Sequence, residues 1–242
     1  MADILVYPAG SGSAAVFAAE QLKKHRIQLI EHPSPDVTHL LLDVPCREIP
    51  GELLRQLPES ITVAGGNLSR PELEGCRKLD LLQDNFYLAK NAAITADCAV
   101  RVAAARIKTV FSDTSALVIG WGRIGKCLAA LLRRIGCTVT VAARKESDRA
   151  MLNAFGYDSA DSLQISNPEK FDLIFNTVPA PVLNRNVLER CPDTLKIDLA
   201  SKPGLEGPDV VWARGLPGLY APESSGKLIA ETFIKLCREG IS

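Results

Sequence analysis

This sequence has no charge of either sign to spare, no paired cysteines and no long apolar run. Lys plus Arg and Asp plus Glu each number 28, for a formal net charge of zero. With no basic or acidic tail, that balance argues against nucleic acid or an anionic membrane as the main partner. Seven cysteines (Cys46, Cys76, Cys98, Cys127, Cys137, Cys191, Cys237) are scattered, odd in number and form no CxxC pair. A disulfide framework or a structural zinc site is therefore not expected, and no metal site is assigned. They read as reduced, small apolar residues of a cytosolic protein. No apolar stretch reaches the roughly 20 residues of a membrane-spanning helix. The start, MADILVYPAG, lacks a basic segment and a long apolar core, so no signal peptide is expected. Cytoplasmic placement follows as an expectation. Histidine is scarce too: His25, His32 and His39 all fall in the first third of the chain and read as surface or packing residues.

What is present is a globular composition, 47% hydrophobic and 23% charged over 242 residues, enough for two modest domains. ILVY (4–7), IQLIE, VTHLLLDVP and ITVAG (61–65) read as strands, with an alanine-rich helix ending near Lys24. Strands alternating with helices predict a parallel α/β sheet. NAAITADCAVRVAAARIK (91–108) has strong helix formers and no Gly or Pro, and predicts a long helix linking two lobes. ALVI (116–119), CTVTVAA (137–143), FDLIFN (171–176) and TLKIDLA (194–200) are strands of the second lobe, followed by VVWA. A last helix is expected from about Ser225 to Arg238. The expected division is an N-terminal lobe over 1–90, a linking helix over 91–115, a dinucleotide-binding lobe over 116–222 and a C-terminal helix over 223–242.

Between ALVI and a helical run closed by Gly136 lies GWGRIG, with Gly120, Gly122 and Gly125 in a G-x-G-x-x-G pattern. In that context the first glycine serves the tight turn and the second a close approach to pyrophosphate. The third serves helix–strand packing, and the phosphates meet the helix N-terminus. Arg123 and Ile124 complete the loop. An ordinary strand–helix turn is the structural alternative. The first lobe's GSGS (10–13) has Ala15 in place of the third glycine and reads as a plain turn.

An NAD site would carry an acid roughly 20 residues on, at the end of the second strand. Here the strand ends in AARKES, and no carboxylate comes before Glu146. Arg144 and Lys145 stand in that place and Ser147 adds a hydroxyl, a set suited to a 2′-phosphate. The residues favour NADP, with NAD possible if this is only a solvated basic turn. Three further loops sit where ligands of a doubly wound sheet lie: NTVPAPVL (176–183), DLASKPG (198–204) and GLPGLYAPESSG (215–226). Asn176, Thr177, Val178, Pro179 and Asp198 are assigned to the cofactor side; for Asp198, loop hydrogen bonding is the alternative role.

DLASKPG, GLPGLYAPESSGKLIA, NTVP and the helix beginning NAAITAD together resemble the A subunit of dipicolinate synthase, from about Leu79 onward. The first 80 or so residues match only in βα character, and Asp97 stands where the family carries a glutamate. The resemblance implies a flavodoxin-like N-terminal lobe plus a Rossmann lobe, similar to the D-2-hydroxyacid dehydrogenases. It implies oxidation of a cyclic imine dicarboxylate, from 4-hydroxytetrahydrodipicolinate through dihydrodipicolinate, to pyridine-2,6-dicarboxylate in a lysine-pathway branch used in sporulation. It also implies an oligomeric assembly that includes a second, flavoprotein-like subunit. On that footing Lys202 is expected to bind a substrate carboxylate, with Ser201, Ser224 and Ser225 donating hydrogen bonds. Asn91 and Thr95, one helical turn apart, are expected to face the same cleft. D-2-hydroxyacid dehydrogenases use an Arg–Glu–His set; Lys202 stands near the arginine's place and no histidine follows it. The alternatives are a hydroxyacid-dehydrogenase relative and a non-catalytic NADP-binding subunit.

Overall fold

In a computed structural model of the chain, residues 4–49, 51–165 and 167–239 are described. The chain divides into two compact units, Met1–Asn91 with Pro217–Ser242, and Ala92–Leu216. The first unit holds strands β1 (Leu5–Pro8), β2 (Gln28–Leu29), β3 (His39–Leu41), β4 (Thr62–Gly65) and β5 (Arg77–Asp80). Its helices are α1 (Ser13–Lys24), the single turn α2 (Gly51–Leu54), the start of α3 (Asn85–Ala104) and the closing α8 (Pro222–Glu239). All strand pairs are parallel in the order β2-β1-β3-β4-β5, the flavodoxin-like winding that the family resemblance implies. Val37, Leu40, Leu42, Leu53, Ile61 and Val63 form the core on one face. Helix α1 crosses α8 at Gly226, where a Cβ would lie 2.5 Å from Phe17 Cβ and 2.7 Å from Ala14 O. Only glycine permits so close a crossing.

The second unit runs β6 (Ser115–Ile119), α4 (Arg123–Arg134), β7 (Thr138–Ala143), α5 (Glu146–Ala154), β8 (Asp158–Asp161), β9 (Leu173–Asn176), α6 (Arg185–Leu188), β10 (Leu195–Asp198) and β11 (Val210–Trp212). A single turn, α7 (Leu216–Tyr220), then leads to α8. The sheet order is β11-β10-β9-β6-β7-β8, all parallel, which is the Rossmann winding with its switch point between β6 and β9. Leu117, Ile119, Ala142 and Ile174 pack with Leu183, Leu188 and Leu205 on one face.

Local chemistry sets the helix ends. Helix α3 starts six residues earlier than composition suggests because Asp84 Oδ1 accepts from the Tyr87 N–H at 2.8 Å, an N-cap. Asp84 Oδ2 meanwhile takes Lys235 Nζ at 2.7 Å, tying α8 to that cap. Helices α1, α4 and α5 all stop on one pattern: the residue after the cap enters the left-handed region and two N–H groups turn back onto the last carbonyls. Gly136 (φ +99°) and Gly156 (φ +74°) fill that position in α4 and α5, but Arg26 (φ +61°) fills it in α1. All seven cysteines are free and five are buried; burial pushes the Cys137 and Cys237 thiols up to about 11. No described helix is long and apolar enough to cross a membrane. Among the described residues no cluster of His, Cys, Asp and Glu is arranged to hold a metal.

Candidate functional site

The ends of β6 and β9 flank the switch point of the second unit, and GWGRIG leaves the first of them. Gly120 takes φ +104°. A Cβ there would run into the Thr177 hydroxyl and lie 2.9 Å from Val178 Cγ2. A Cβ on Gly125 would run into the carbonyl oxygen of Gly120, so this glycine lets α4 close onto the turn. Gly122 is different: nothing lies within 4 Å of where its Cβ would be. It is the N-cap of α4, in extended backbone, and makes no side-chain cap hydrogen bond. Two glycines are thus shut against protein and the middle one, at the start of α4, stands open. A dinucleotide pyrophosphate fits that arrangement. Arg123 is exposed and Ile124 half-buried beside it.

The first unit's GSGS turn is built oppositely. Asp43, just past β3, accepts from the Ser11 N–H at 3.1 Å and the Gly12 N–H at 3.0 Å. Cβ atoms at Gly10 and Gly12 would each lie 2.9 Å from Asp43 Oδ1. The protein's own carboxylate holds the donors that a phosphate would need.

At the end of β7, Arg144, Lys145 and Ser147 are all exposed, and Glu146 and Asp148 occupy the first turn of α5. Arg149, which the sequence does not single out, reaches back from α5 and donates from Nη1 to the carbonyls of Ala143 (2.9 Å) and Arg144 (2.8 Å). No spacing rule announces such a contact; it depends on how α5 leaves the strand.

The loops after β9 and β10 are joined through two buried side chains. Asn176 Nδ2 donates to Val178 O at 2.9 Å and to Asp198 Oδ1 at 3.0 Å, while its Oδ1 accepts from the Val178 N–H at 2.9 Å. Asp198 Oδ1 also accepts from the Ala200 N–H at 3.0 Å, and Oδ2 from the N–H groups of Gly204 (2.7 Å) and Leu205 (3.0 Å). Both residues are fully buried and their polar groups are directed at the chain itself. They shape the loops that carry the other candidates. Thr177 Oγ1 donates to Ile119 O at 2.9 Å, bridging the two sides of the switch point. Val178 is half-buried and Pro179 exposed on the same loop.

Ser201 and Lys202 are exposed on the loop that Asp198 holds. Ser224 and Ser225 begin α8 in the first unit, Ser224 exposed and Ser225 buried. The Ser225 hydroxyl has no hydrogen-bond partner among the described residues. Asn91 and Thr95 lie on successive turns of α3, Asn91 half-buried and Thr95 buried. Lys202 with Ser201 and Ser224 with Ser225 belong to different units, and neither unit alone brings the two groups together. Asp97 is exposed on α3 and pairs with Arg101 at 2.7 Å.

Known proteins place this geometry. No family model matches the chain. The chain is 30% identical over 159 residues to the dipicolinate synthase A subunit of Bacillus subtilis (strain 168), a match covering 62% of this chain and 54% of that protein. The matched stretch therefore spans about half the length of the curated relative. The crystal structure of the dipicolinate synthase A chain from Bacillus subtilis superposes with a TM-score of 0.83 at 20% identity, covering 99% of this chain and 97% of that one. The corresponding protein from Bacillus halodurans gives 0.79 at 22% identity, covering 97% and 98%. D-lactate dehydrogenase from Escherichia coli gives 0.59 at 12% identity, covering 98% and 96%. The likeness to the dipicolinate synthase A subunit read from the sequence motifs is borne out, and the fold is shared with a D-lactate dehydrogenase.

Proposed function

We propose that this chain is the dehydrogenating subunit of a dipicolinate synthase, using NADP to oxidise a cyclic imine dicarboxylate to pyridine-2,6-dicarboxylate. The observation that carries the cofactor half is the division of labour in GWGRIG, with Gly120 and Gly125 closed against protein and Gly122 open. The substrate half is supported by the similarity to the dipicolinate synthase A subunit. NADP, when bound, supplies the hydride acceptor. The first-turn amides of α4, with Arg123, take the pyrophosphate, and Arg144, Lys145 and Ser147 take the 2′-phosphate. Thr177, Val178 and Pro179 line the nicotinamide side, on a loop whose shape Asn176 and Asp198 fix through their hydrogen bonds.

The protein's remaining task is to hold a dianionic ring against the cofactor and to neutralise its charge. Lys202 supplies the positive charge and Ser201 a hydroxyl. Ser224, the unpartnered hydroxyl of Ser225, Asn91 and Thr95 supply further donors. All three histidines belong to the first unit, His39 at the start of β3, so the His-assisted alcohol oxidation of a D-2-hydroxyacid dehydrogenase is not the favoured chemistry. Aromatisation drives the reaction, so a strong base is not its main requirement. Self-association and a flavoprotein-like partner are part of the proposal, as is a cytoplasmic setting.

The test is production of a pyridine dicarboxylate absorbance from the lysine-pathway intermediate plus NADP, by the purified chain with and without its partner. Lys202→Ala is expected to raise KM by about tenfold or more, the loss of one charge-assisted contact. Normal kinetics in that variant would remove Lys202 from the site. Cofactor binding without turnover, even with the partner, would favour a non-catalytic role in assembly. Turnover of simple hydroxy acids would favour the dehydrogenase relative.

A further inference from the structure

We infer that Arg149 is the positioning residue behind the choice of cofactor: it holds the β7–α5 turn in the shape that turns Arg144 and Lys145 toward a 2′-phosphate. This rests on the NADP reading above and deepens it. Arg149 stands in the first turn of α5, and its side chain folds back across the start of its own helix. A single nitrogen, Nη1, donates to Ala143 O at 2.9 Å and Arg144 O at 2.8 Å, and lies 3.4 Å from Asp161 Oδ2 at the end of β8. Asp161 is itself fixed, since its Oδ1 accepts from the Leu163 N–H at 2.9 Å. The next carbonyl, Lys145 O, takes the N–H groups of Asp148 and Arg149, both at 3.1 Å. Three consecutive carbonyls, 143 to 145, are therefore all committed inward, and the side chains of Arg144 and Lys145 stay exposed.

The charges around the turn show why this matters. Arg144, Lys145 and Arg149 face three carboxylates in the same segment: Glu146 and Asp148 in the first turn of α5, and Asp161 on β8. Arg149 engages Asp161 and the backbone. Without that hold, the turn is free to let Arg144 or Lys145 fold onto Glu146 or Asp148, and the phosphate would then meet a neutralised surface. A lysine at 149 keeps the charge, but its ammonium ends one bond short of the place from which Nη1 meets both carbonyls and the carboxylate. NAD and NADP differ only by the 2′-phosphate, so a positioning role must fall on NADP and spare NAD.

The experiment is calorimetric titration of the folded chain with NADP, NAD and adenosine 2′,5′-bisphosphate, with melting curves run on each variant. Wild type is expected to prefer NADP. Arg149→Ala and Arg149→Lys are expected to lose about tenfold or more in affinity for NADP and the bisphosphate, while NAD stays within about twofold, the size of one or two charge-assisted bonds misplaced. Asp161→Asn, which leaves both carbonyl bonds, keeps NADP within about threefold. Should Arg149→Ala fail to fold, Arg149→Lys carries the same comparison. Equal weakening of NADP and NAD in a wild-type background that prefers NADP overturns the role of Arg149 alone. A wild type that binds NAD as tightly as NADP overturns the NADP reading and Arg149's role with it.

Discussion

Adding the same methyl group three residues apart, in Gly122→Ala and Gly125→Ala, separates cofactor binding from folding. At Gly122 the new Cβ meets nothing within 4 Å, and its φ of −81° is ordinary for alanine. Stability is expected to fall by no more than about 1 kcal/mol, the preference of an N-cap for glycine over alanine, offset in part by the stiffer unfolded chain. At Gly125 the Cβ runs into the carbonyl oxygen of Gly120. That atom is backbone in a turn at φ +104°, whose N–H is held by Ala142 O at 2.8 Å. Relief therefore requires α4 to back away from β6, an overpacking cost of about 1–3 kcal/mol. For a chain of this size each kcal/mol lowers Tm by about 2–4 °C, giving a drop of roughly 2–12 °C. Binding follows the opposite order of directness: the methyl at Gly122 stands in the open side of the loop and is expected to cost NADP about tenfold or more. The assays are melting without nucleotide and titration with NADP. Trp121 immediately precedes Gly122, with Tyr157 edge-on at 6.0 Å, and serves as the fluorophore. Undiminished NADP affinity in Gly122→Ala would mean that no phosphate approaches there and GWGRIG is a plain turn. An unchanged Tm in Gly125→Ala would refute the close packing.

Asp198→Asn leaves one oxygen to serve four donors, from Asn176, Ala200, Gly204 and Leu205. With two buried N–H groups stranded, a loss of about 2–4 kcal/mol in urea unfolding is expected; a change under 0.5 kcal/mol would show that the carboxylate does not hold the loops. Arg26→Gly removes an L-residue from φ +61° at the end of α1 and should stabilise by up to about 1 kcal/mol, read as a raised Tm; a lowered Tm would refute the strain. Burial, with the Arg77 charge adding to it, holds His39 below the ordinary 6.5. The unfolded chain then takes up a proton that the folded chain refuses, so stability is complete above about pH 7 and falls as pH drops through 6.5, levelling only below the folded value. His39→Gln should flatten that limb of the stability–pH curve, and an unchanged slope would assign it to other groups.

That both lobes are parallel α/β sheets was legible in the sequence because the central strands announce themselves; the flavodoxin-like winding came only with the family resemblance. TVAG, SALVI and LIFN are almost wholly buried, and buried strands of a parallel sheet read as apolar runs. The edge strands β5 (RKLD) and β8 (DSAD) were not visible, since polar residues exposed at a sheet's edge carry no such pattern. Asp84 was missed as the cap that starts α3 early, because the first turn it caps, NFY, looks no more helical than its surroundings. In the site, the glycine roles follow from spacing within one turn, so the sequence is enough to assign them. The partnership of Asn176 with Asp198 spans 22 residues and exists only once β9 and β10 lie side by side. Arg149 is invisible for a related reason: its partners are backbone carbonyls, which every sequence has.

The chain builds a glycine-rich strand-to-helix turn twice, and the two differ in what the neighbouring strand presents to them. Both turns precede helices of 12 residues with extended glycine N-caps, Gly12 and Gly122, and no side-chain cap of their own. Helix polarity and the glycine N-cap are therefore shared and cannot decide the matter. The neighbouring strand decides it. Past β3 the chain carries Asp43, whose two oxygens take the Ser11 and Gly12 amides. Past β9 it carries Thr177, whose hydroxyl donates to Ile119 O instead. A carboxylate in the first place takes up the turn's own donors; the hydroxyl in the second is spent on the carbonyl that ends β6. Whether a glycine-rich turn serves phosphate thus depends on a residue one strand away in space and more than thirty away in sequence.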